Sequence, residues 1–251
     1  MKSFWTISIL FLTQTISAQS VDQLLIQGRS LRAEYKEAEA LKKFNAVLVT
    51  QPNNLEALHN ASYLTGTVGN RLKDDNAKKV EFAKAQKTAE KAMKIDNNSA
   101  EAHYSYLISL GLMSEVAGSP RERLENARII KSKADLVVKL DPKHAGAQHV
   151  LGRWHHGISD LNFFEVAATE LLFGGVPEGA TFEKSQKHLR KAMALRPNYI
   201  LYHKDLAVTL EELDKDDEAI ALLQKAIKLP AKTPDDPRYL KECRELLDDW
   251  D

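Results

Sequence analysis

Residues 40–52 read ALKKFNAVLVTQP, so that Ala40 and Phe44 lie four positions apart and Pro52 follows eight residues later. Residues four positions apart share one face of a helix, and proline stops a helix because it has no N–H to donate. A fixed offset that returns along a chain is typical of stacked helical hairpins. The offset returns at Ala85, Ala89 and Asn97, at Ile130, Ala134 and Pro142, at Ser185, Leu189 and Pro197, and at Ala219 and Leu223 with Pro230 one place early.

We call each such set of three residues a signature, and the Pro or Asn that ends it the anchor. The distances between anchors identify the kind of repeat. Counted to position 231 for the last unit, they are 45, 45, 55 and 34 residues. The last distance is the length of a tetratricopeptide repeat. Small residues in the preceding helices, such as Gly28 and Gly152, would let the two helices of a hairpin approach closely. We predict an all-α fold, a right-handed tetratricopeptide-like superhelix of about five helical hairpins with elongated middle units.

The anchors also predict the boundaries of the units. We expect a secretory signal peptide over residues 1–18 and a tetratricopeptide-repeat domain over 19–251. The extra residues of the fourth unit, FFEVAATELLF at 163–173, have apolar side chains around most of a helix, which predicts a short helix buried within the array. The expected units are 21–54, 55–98, 99–143, 144–199 and 200–233, with a capping helix over 236–250.

The N-terminus has the pattern of an export signal. Lys2 precedes an apolar run at residues 4–12, and the small residues Ser17 and Ala18 follow. The apolar run is shorter than the roughly 20 residues that span a bilayer. We therefore expect an exported protein, periplasmic or extracellular, and an uncleaved N-terminal membrane anchor is the alternative. Cys243 is the only cysteine, so the fold has no internal disulfide.

The charge balance bears on the class of partner. The chain has 35 Lys and Arg and 35 Asp and Glu, with a formal net charge of zero. A balanced charge gives no electrostatic reason to expect nucleic acid as the main partner, because phosphate backbones are bound by an excess of cations.

The fourth unit carries a more specific pattern, beginning with LGRWHHG at residues 151–157. This unit resembles the regulator of microtubule dynamics family, as a bacterial-type exported member. In that family a Leu-Gly-Arg-Trp helix start is followed by a Phe-rich stretch, a Phe-Gly-x-Pro-like loop and a helix that closes on Leu-Arg-Pro. The residues in those places are Phe164, Phe173, Gly174, Pro177 and Leu195-Arg196-Pro197.

The resemblance implies a tetratricopeptide fold with a binding role and no established catalysis. Animal members of the family are linked to microtubules and to contacts between organelle membranes. Because an export signal would remove this chain from the cytosol, we expect no microtubule partner.

Four histidines fall within thirteen positions and raise the question of a metal site. A zinc site needs three or four convergent ligands, and neither a His-Glu-x-x-His nor a paired-Cys pattern is present. We interpret the histidines as surface and packing residues, and we predict no metal, no cofactor and no enzymatic activity. The four are His144, His149, His155 and His156.

The leading hypothesis is a non-enzymatic binding or scaffold protein that holds a peptide or protein partner in a concave helical-repeat groove. The alternative is a lipid or other apolar ligand in a cavity near the fourth unit, which predicts an enclosed apolar cavity near Trp154 and Phe164. Arg153 would bind a carboxylate or phosphate in that groove, or else pair with Asp160 or Glu165. The candidate ligand-binding or partner-binding residues are Asn60, Tyr63, Tyr104, Leu107, Arg153, Trp154, His156, Phe164 and His203.

Overall fold

The computed structural model describes residues 20–116 and 118–250, without the side chains of Phe163 and Phe164. The predicted signal peptide lies outside the described residues. Within them the chain forms twelve α-helices and no strand, which confirms the all-α prediction. The helices are α1 Val21–Ala33, α2 Glu37–Thr50, α3 Leu55–Gly69, α4 Asp75–Ile95, α5 Ala100–Glu115, α6 Pro120–Leu140, α7 Ala145–Ser159, α8 Phe163–Phe173, α9 Phe182–Leu195, α10 Ile200–Glu211, α11 Asp216–Ala226 and α12 Asp236–Trp250.

The helices pack as antiparallel hairpins that stack into a superhelix. The pairs are α1 with α2, α3 with α4, α5 with α6, α7 with α9, and α10 with α11, while α12 covers α10 and α11. Helices α4 and α6 have 21 residues each, against 14 for α2 and for α9. The middle hairpins are therefore taller than their neighbours.

The anchors form tight turns between consecutive hairpins. Before Pro52, the carbonyl of Gln51 accepts a hydrogen bond from the N–H of Asn54 at 3.0 Å. This places proline at the second position of a four-residue turn, where its fixed φ fits. The Asn54 side chain then caps α3 by accepting from the N–H of Ala57. The same turn bond joins Ser99 to Asp96, His144 to Asp141, and Tyr199 to Arg196.

The signature residues form the contact between the helices of each hairpin. Phe44 of α2 is fully buried against Gly28 of α1, where an added Cβ would lie 2.8 Å from the ring. Leu189 of α9 occupies the equivalent place against Gly152 of α7, where a Cβ would lie 2.5 Å from its Cγ. The other signature residues with no exposed surface are Ala40, Ala85, Ala89, Ala134, Ser185, Ala219 and Leu223.

The prediction that the helix over 163–173 is buried within the array is wrong for residues 165–173, which are exposed or half-buried. Leu171 is 85% exposed and Leu172 is 65% exposed. Since α7 packs directly on α9, no space is left between them for α8. The returning loop is instead held on α6, where Arg128 donates from Nη2 to the carbonyls of Phe173 at 3.2 Å and Gly175 at 2.7 Å.

A helix that crosses a bilayer needs about 20 predominantly apolar residues. No helix in residues 20–116 and 118–250 combines the length and the apolarity needed to cross a bilayer.

The close contact at Gly152 gives a test of the hairpin packing. We expect Gly152→Ala to lower the free energy of unfolding, because the added Cβ would press on the buried Leu189. Overpacking of a core costs about 1–3 kcal/mol. Gly157→Ala, on the same helix but with open space around it, should raise the free energy of unfolding by up to about 1 kcal/mol. Urea denaturation of both variants measures the difference. Equal stabilities would contradict the packing.

Candidate binding groove

The concave side of the superhelix is a groove of about 1070 Å³. Its walls are formed mainly by the first helix of each hairpin, and the lining residues recur at fixed distances from the anchors. Tyr104, His149 and Lys204 each lie seven positions after an anchor. The residues that lie eleven positions after an anchor are Tyr63, Ile108 and Arg153.

An ion-pair clamp joins the two ends of the groove. Arg71, in the turn after α3, donates from Nε to Asp235 Oδ1 at 3.2 Å and from Nη2 to Asp235 Oδ2 at 2.8 Å. The same Nη2 donates to Glu37 Oε2 at 2.5 Å. Burial opposes the charge of Arg71, but the hydrogen bonds that it donates to Asp235 and Glu37 outweigh this effect and raise the pKa of the guanidinium. The clamp bridges residues 164 positions apart and ties the turn after α3 to the residue before α12.

Four tyrosines from three helices and an anchor turn form an aromatic cluster in the groove. The rings of Tyr63 and Tyr104 stack with centroids 5.9 Å apart, and those of Tyr199 and Tyr202 meet edge to face at 4.6 Å. Tyr104 reaches this position across α7 only because residue 146 is glycine, where a Cβ would lie 2.2 Å from the tyrosine oxygen.

The hydroxyls of this cluster are free to bind a ligand. Within the described residues, none of the four tyrosine hydroxyls has a hydrogen-bond partner. Burial raises the pKa of each phenol above its ordinary value, so all four remain protonated and can donate. The four are Tyr63, Tyr104, Tyr199 and Tyr202.

A contact between His149 of the groove wall and Asp205 joins α7 to α10. His149 Nε2 and Asp205 Oδ2 are 2.7 Å apart, and Lys204 and Arg153 approach the same carboxylate at 3.5 Å and 3.8 Å. Burial disfavours the Asp205 carboxylate, but the hydrogen bond from His149 and the charges of its cationic neighbours lower its pKa to about 2. The His149 ring also stacks on Tyr202 at 4.6 Å.

The structure places five of the nine candidate residues in the groove wall. Tyr104 and Leu107 come from α5, Arg153 and Trp154 from α7, and Tyr63 from α3. Arg153 does not pair with Asp160 or Glu165, as one interpretation expected, because its side chain points across to Asp205 on α10. Its side chain is 60% exposed, so it remains accessible from the groove.

Trp154 contributes to the wall mainly as a packed residue. It is 8% exposed, and its Nε1 donates to the carbonyl of Ala127 on α6 at 2.8 Å. Lys131 lies over its ring at 5.4 Å. The Phe164 side chain, the other half of the predicted apolar cavity, lies outside the described residues.

Asn60 and His156 lie in contacts between helices and not in the groove wall. Asn60 is 3% exposed, accepts from Arg32 and donates to the carbonyl of Glu56 at 2.9 Å. His156 Nδ1 lies 3.1 Å from Thr209 Oγ1 and joins α7 to α10. Both polar side-chain atoms of Asn60 and one ring nitrogen of His156 are therefore used by the fold.

His203, the remaining candidate, is part of the repeat itself. It is fully buried, and its Nε2 donates to the carbonyl of Pro197, the anchor six positions earlier, at 2.7 Å. His103 makes the same bond to the anchor Asn97 at 2.8 Å, and Gln148 makes a longer one to Pro142. A residue six positions after an anchor thus fixes the turn.

The clustered histidines make contacts of the same structural kind. His144 caps α7, since its Nδ1 accepts from the N–H of Ala147 at 3.0 Å. His155 stacks on His188 at 5.5 Å, and burial together with that neighbour lowers the pKa of His155 to about 4. In the part of the chain that the structure describes, no three His, Cys, Asp or Glu side chains are placed to hold a metal ion.

Several groove residues were absent from the sequence-based candidates. Two of them carry a signal in the sequence, since His149 and Lys204 lie seven positions after an anchor, as Tyr104 does. The clamp had no such signal, because its three residues lie in turns and helix starts far apart in sequence. The missed residues are Arg71, Arg123, His149, Arg196, Tyr199, Tyr202, Lys204, Asp235, Arg238, Tyr239 and Glu242.

Similarity to known proteins identifies the family. Residues 18–251 match the family model of regulator of microtubule dynamics protein 1-3. The chain belongs to this family. This confirms the resemblance drawn from residues 151–197.

The relatives differ from this chain in length. Regulator of microtubule dynamics protein 1 of Bos taurus is 27% identical over 220 residues, which cover 86% of this chain and 64% of the relative. Protein 3 of the same species is 29% identical over 177 residues, which cover 70% of this chain and 37% of the relative. The chain therefore spans between about a third and two thirds of these relatives.

A solved structure with the same fold is a thermophilic TPR protein of Thermus thermophilus. It superposes with a TM-score of 0.64 at 16% identity, covering 90% of this chain and 100% of that one. Identity at this level shows the tetratricopeptide fold alone.

The Asp205 ion pair predicts a pH dependence of stability. A carboxylate whose pKa falls on folding contributes stability above its unfolded pKa of 3.8, and that contribution is lost as the pH falls through about 2. We expect the free energy of unfolding of the wild type to exceed that of Asp205→Asn, and we expect this difference to shrink by about 2 kcal/mol between pH 5 and pH 2. Chemical denaturation across this range measures the amount. With the exposed Asp248→Asn as control, the difference should stay within about 0.5 kcal/mol.

The clamp predicts an energetic coupling between distant residues. A double-mutant cycle with Arg71→Met and Asp235→Asn should give a coupling of about 1 kcal/mol, because the pair is bidentate and about three-quarters buried. The exposed pair Arg121 and Glu125 on α6, treated in the same way, should give about 0.3–0.5 kcal/mol. A coupling no larger than that control would show that the clamp is not formed.

Proposed function

We propose that this protein is a non-enzymatic binding protein that takes a segment of a peptide or partner protein in its concave groove. The observation that carries the proposal is the cluster of four tyrosine hydroxyls with no partner in the described chain. Because a partly buried donor gains free energy when it finds an acceptor, these hydroxyls favour a ligand that carries acceptors along its length. A peptide backbone offers one carbonyl per residue.

The size of the groove supports a segment of several residues. Pockets for a drug-sized molecule have volumes of about 300–1,000 Å³, and this groove reaches about 1070 Å³. Its tyrosines also suit peptide recognition, because they supply contact area at a low cost in conformational entropy.

An apolar ligand fits this groove less well. The lipid alternative expects an enclosed apolar cavity near Trp154, whereas the groove lining among the described residues includes eleven charged side chains. Burying lipid chains against them would desolvate charges without compensation. The indole nitrogen of Trp154 is already bonded to Ala127.

The absence of catalysis and the export of the protein are parts of the same proposal. The histidines that invited a metal site cap helices, stack on one another or bond to anchor carbonyls, which supports a structural use of these side chains. An export signal at residues 1–18 would place the partner in the periplasm or outside the cell, away from microtubules.

A display experiment tests the proposal. A library of random twelve-residue peptides is selected on the purified protein, and affinities of the enriched peptides are measured by fluorescence anisotropy. We expect Tyr104→Phe to weaken binding by about three- to tenfold, because it removes one donated hydrogen bond. Tyr106→Phe is the matched control, since this hydroxyl lies on the same helix outside the groove wall.

Two results would overturn the proposal. One is a selection that yields no peptide binding above a blocked surface. The other is a set of enriched peptides whose affinity is unchanged in the combined Tyr63→Phe and Tyr104→Phe variant.

A further inference from the structure

The carboxylates of the groove are almost all committed to the fold. Glu37 and Asp235 are both held by Arg71. Glu242 accepts from Lys204 at 2.7 Å and from Arg238 at 3.1 Å. Among the described residues, Glu115 is the one groove carboxylate without an ion-pair partner.

Two guanidinium groups of the groove, in contrast, have no partner. Within residues 20–116 and 118–250, neither Arg123 nor Arg196 has a hydrogen bond or an ion pair through its side chain, and both residues are exposed in the groove wall. Arg153 meets Asp205 only at 3.8 Å and keeps most of its surface. The charged groups that remain available to a ligand are therefore mainly cationic.

Arg196 lies where the free donors are concentrated. It directly precedes the anchor Pro197, and it lines the same groove as all four tyrosines of the aromatic cluster. A guanidinium binds a carboxylate through two parallel hydrogen bonds, and protonated phenols beside it can donate to the same oxygens. A cation among donors with no acceptor of their own is a site for an anion.

The lining of the whole groove also carries a net positive charge. It contains seven Lys and Arg side chains and four Asp and Glu side chains, although the chain as a whole is neutral. A concave surface with an excess of one charge attracts ligands of the other.

We propose that the groove selects peptide segments with acidic side chains, whose carboxylates bind Arg196 and the surrounding tyrosine hydroxyls. This inference rests on the proposed function and gives its ligand class. Arg123 and Arg153 bind further acidic side chains along the same segment. The clamp of Arg71 serves this selection by occupying the two groove carboxylates that would otherwise repel such a segment.

Two labelled peptides test the selection. One is a fluorescein-labelled ten-residue peptide of alternating Glu and Leu with an amidated C-terminus, and the other has Gln in place of each Glu. We expect the Glu peptide to bind at least about tenfold more tightly, since hydrogen bonds to charged groups are the stronger ones. Raising the salt from about 0.05 M to about 0.5 M should reduce this preference.

Matched variants locate the effect. Arg196→Gln should weaken the Glu peptide by about five- to tenfold and leave the affinity for the Gln peptide unchanged. Lys191→Gln removes the same charge from an exposed position of α9 outside the groove wall, and it should change neither affinity.

The outcomes separate this inference from the proposed function. Equal affinities for the two peptides would overturn acidic selection and leave peptide binding intact. If neither peptide binds although the display selection yields tyrosine-dependent peptides, acidic selection is wrong and peptide binding stands; if the selection fails as well, both proposals fail. If neither peptide binds while vesicles with anionic headgroups bind in an Arg196-dependent manner, the groove takes a lipid anion and the peptide inference is wrong.

Discussion

The close approach of the two helices within each hairpin is the contact on which the superhelix depends. Phe44 fills the space that a side chain at Gly28 would take, and Leu189 does the same at Gly152. These contacts fix the distance between paired helices, and the anchor turns fix the step to the next pair. Together they set the curvature that brings Arg71 of the second hairpin to Asp235 at the start of α12. The groove is thus a consequence of packing between residues that never contact its interior.

The separation between residues that pack the hairpins and residues that line the groove explains what the sequence could and could not predict. The helices and their stacking follow from offsets within about 35 to 55 residues, which a single sequence displays directly. The position of α8 did not follow, because apolar residues around a helix indicate burial only if the array has room for it. The clamp depends on the sum of all hairpin steps between residues 71 and 235. An error of a few degrees in each step would separate the two residues, so no local pattern could predict their contact.

The histidines show how the same residue type can follow a repeat without forming a site. His103 and His203 lie six positions after an anchor and bond its carbonyl. His149 lies seven positions after an anchor and faces the groove, where Asp205 holds it. A shift of one position turns the side chain by about 100° around the helix, from the turn between hairpins to the concave surface. Position relative to the anchor, rather than residue type, therefore separates groove residues from structural ones.

The charge of the groove follows from pairing and not from composition. The chain has equal numbers of acidic and basic residues, and composition alone therefore gave no reason to expect an anionic ligand. The fold removes this balance locally, because one cation, Arg71, pairs with two groove carboxylates while Arg123 and Arg196 pair with none within the described chain. Hydrogen-bond donors are in excess in the groove as well, since the tyrosine hydroxyls add donors without nearby acceptors. A surface with surplus donors and surplus positive charge has one complement, a ligand rich in acceptors and negative charge.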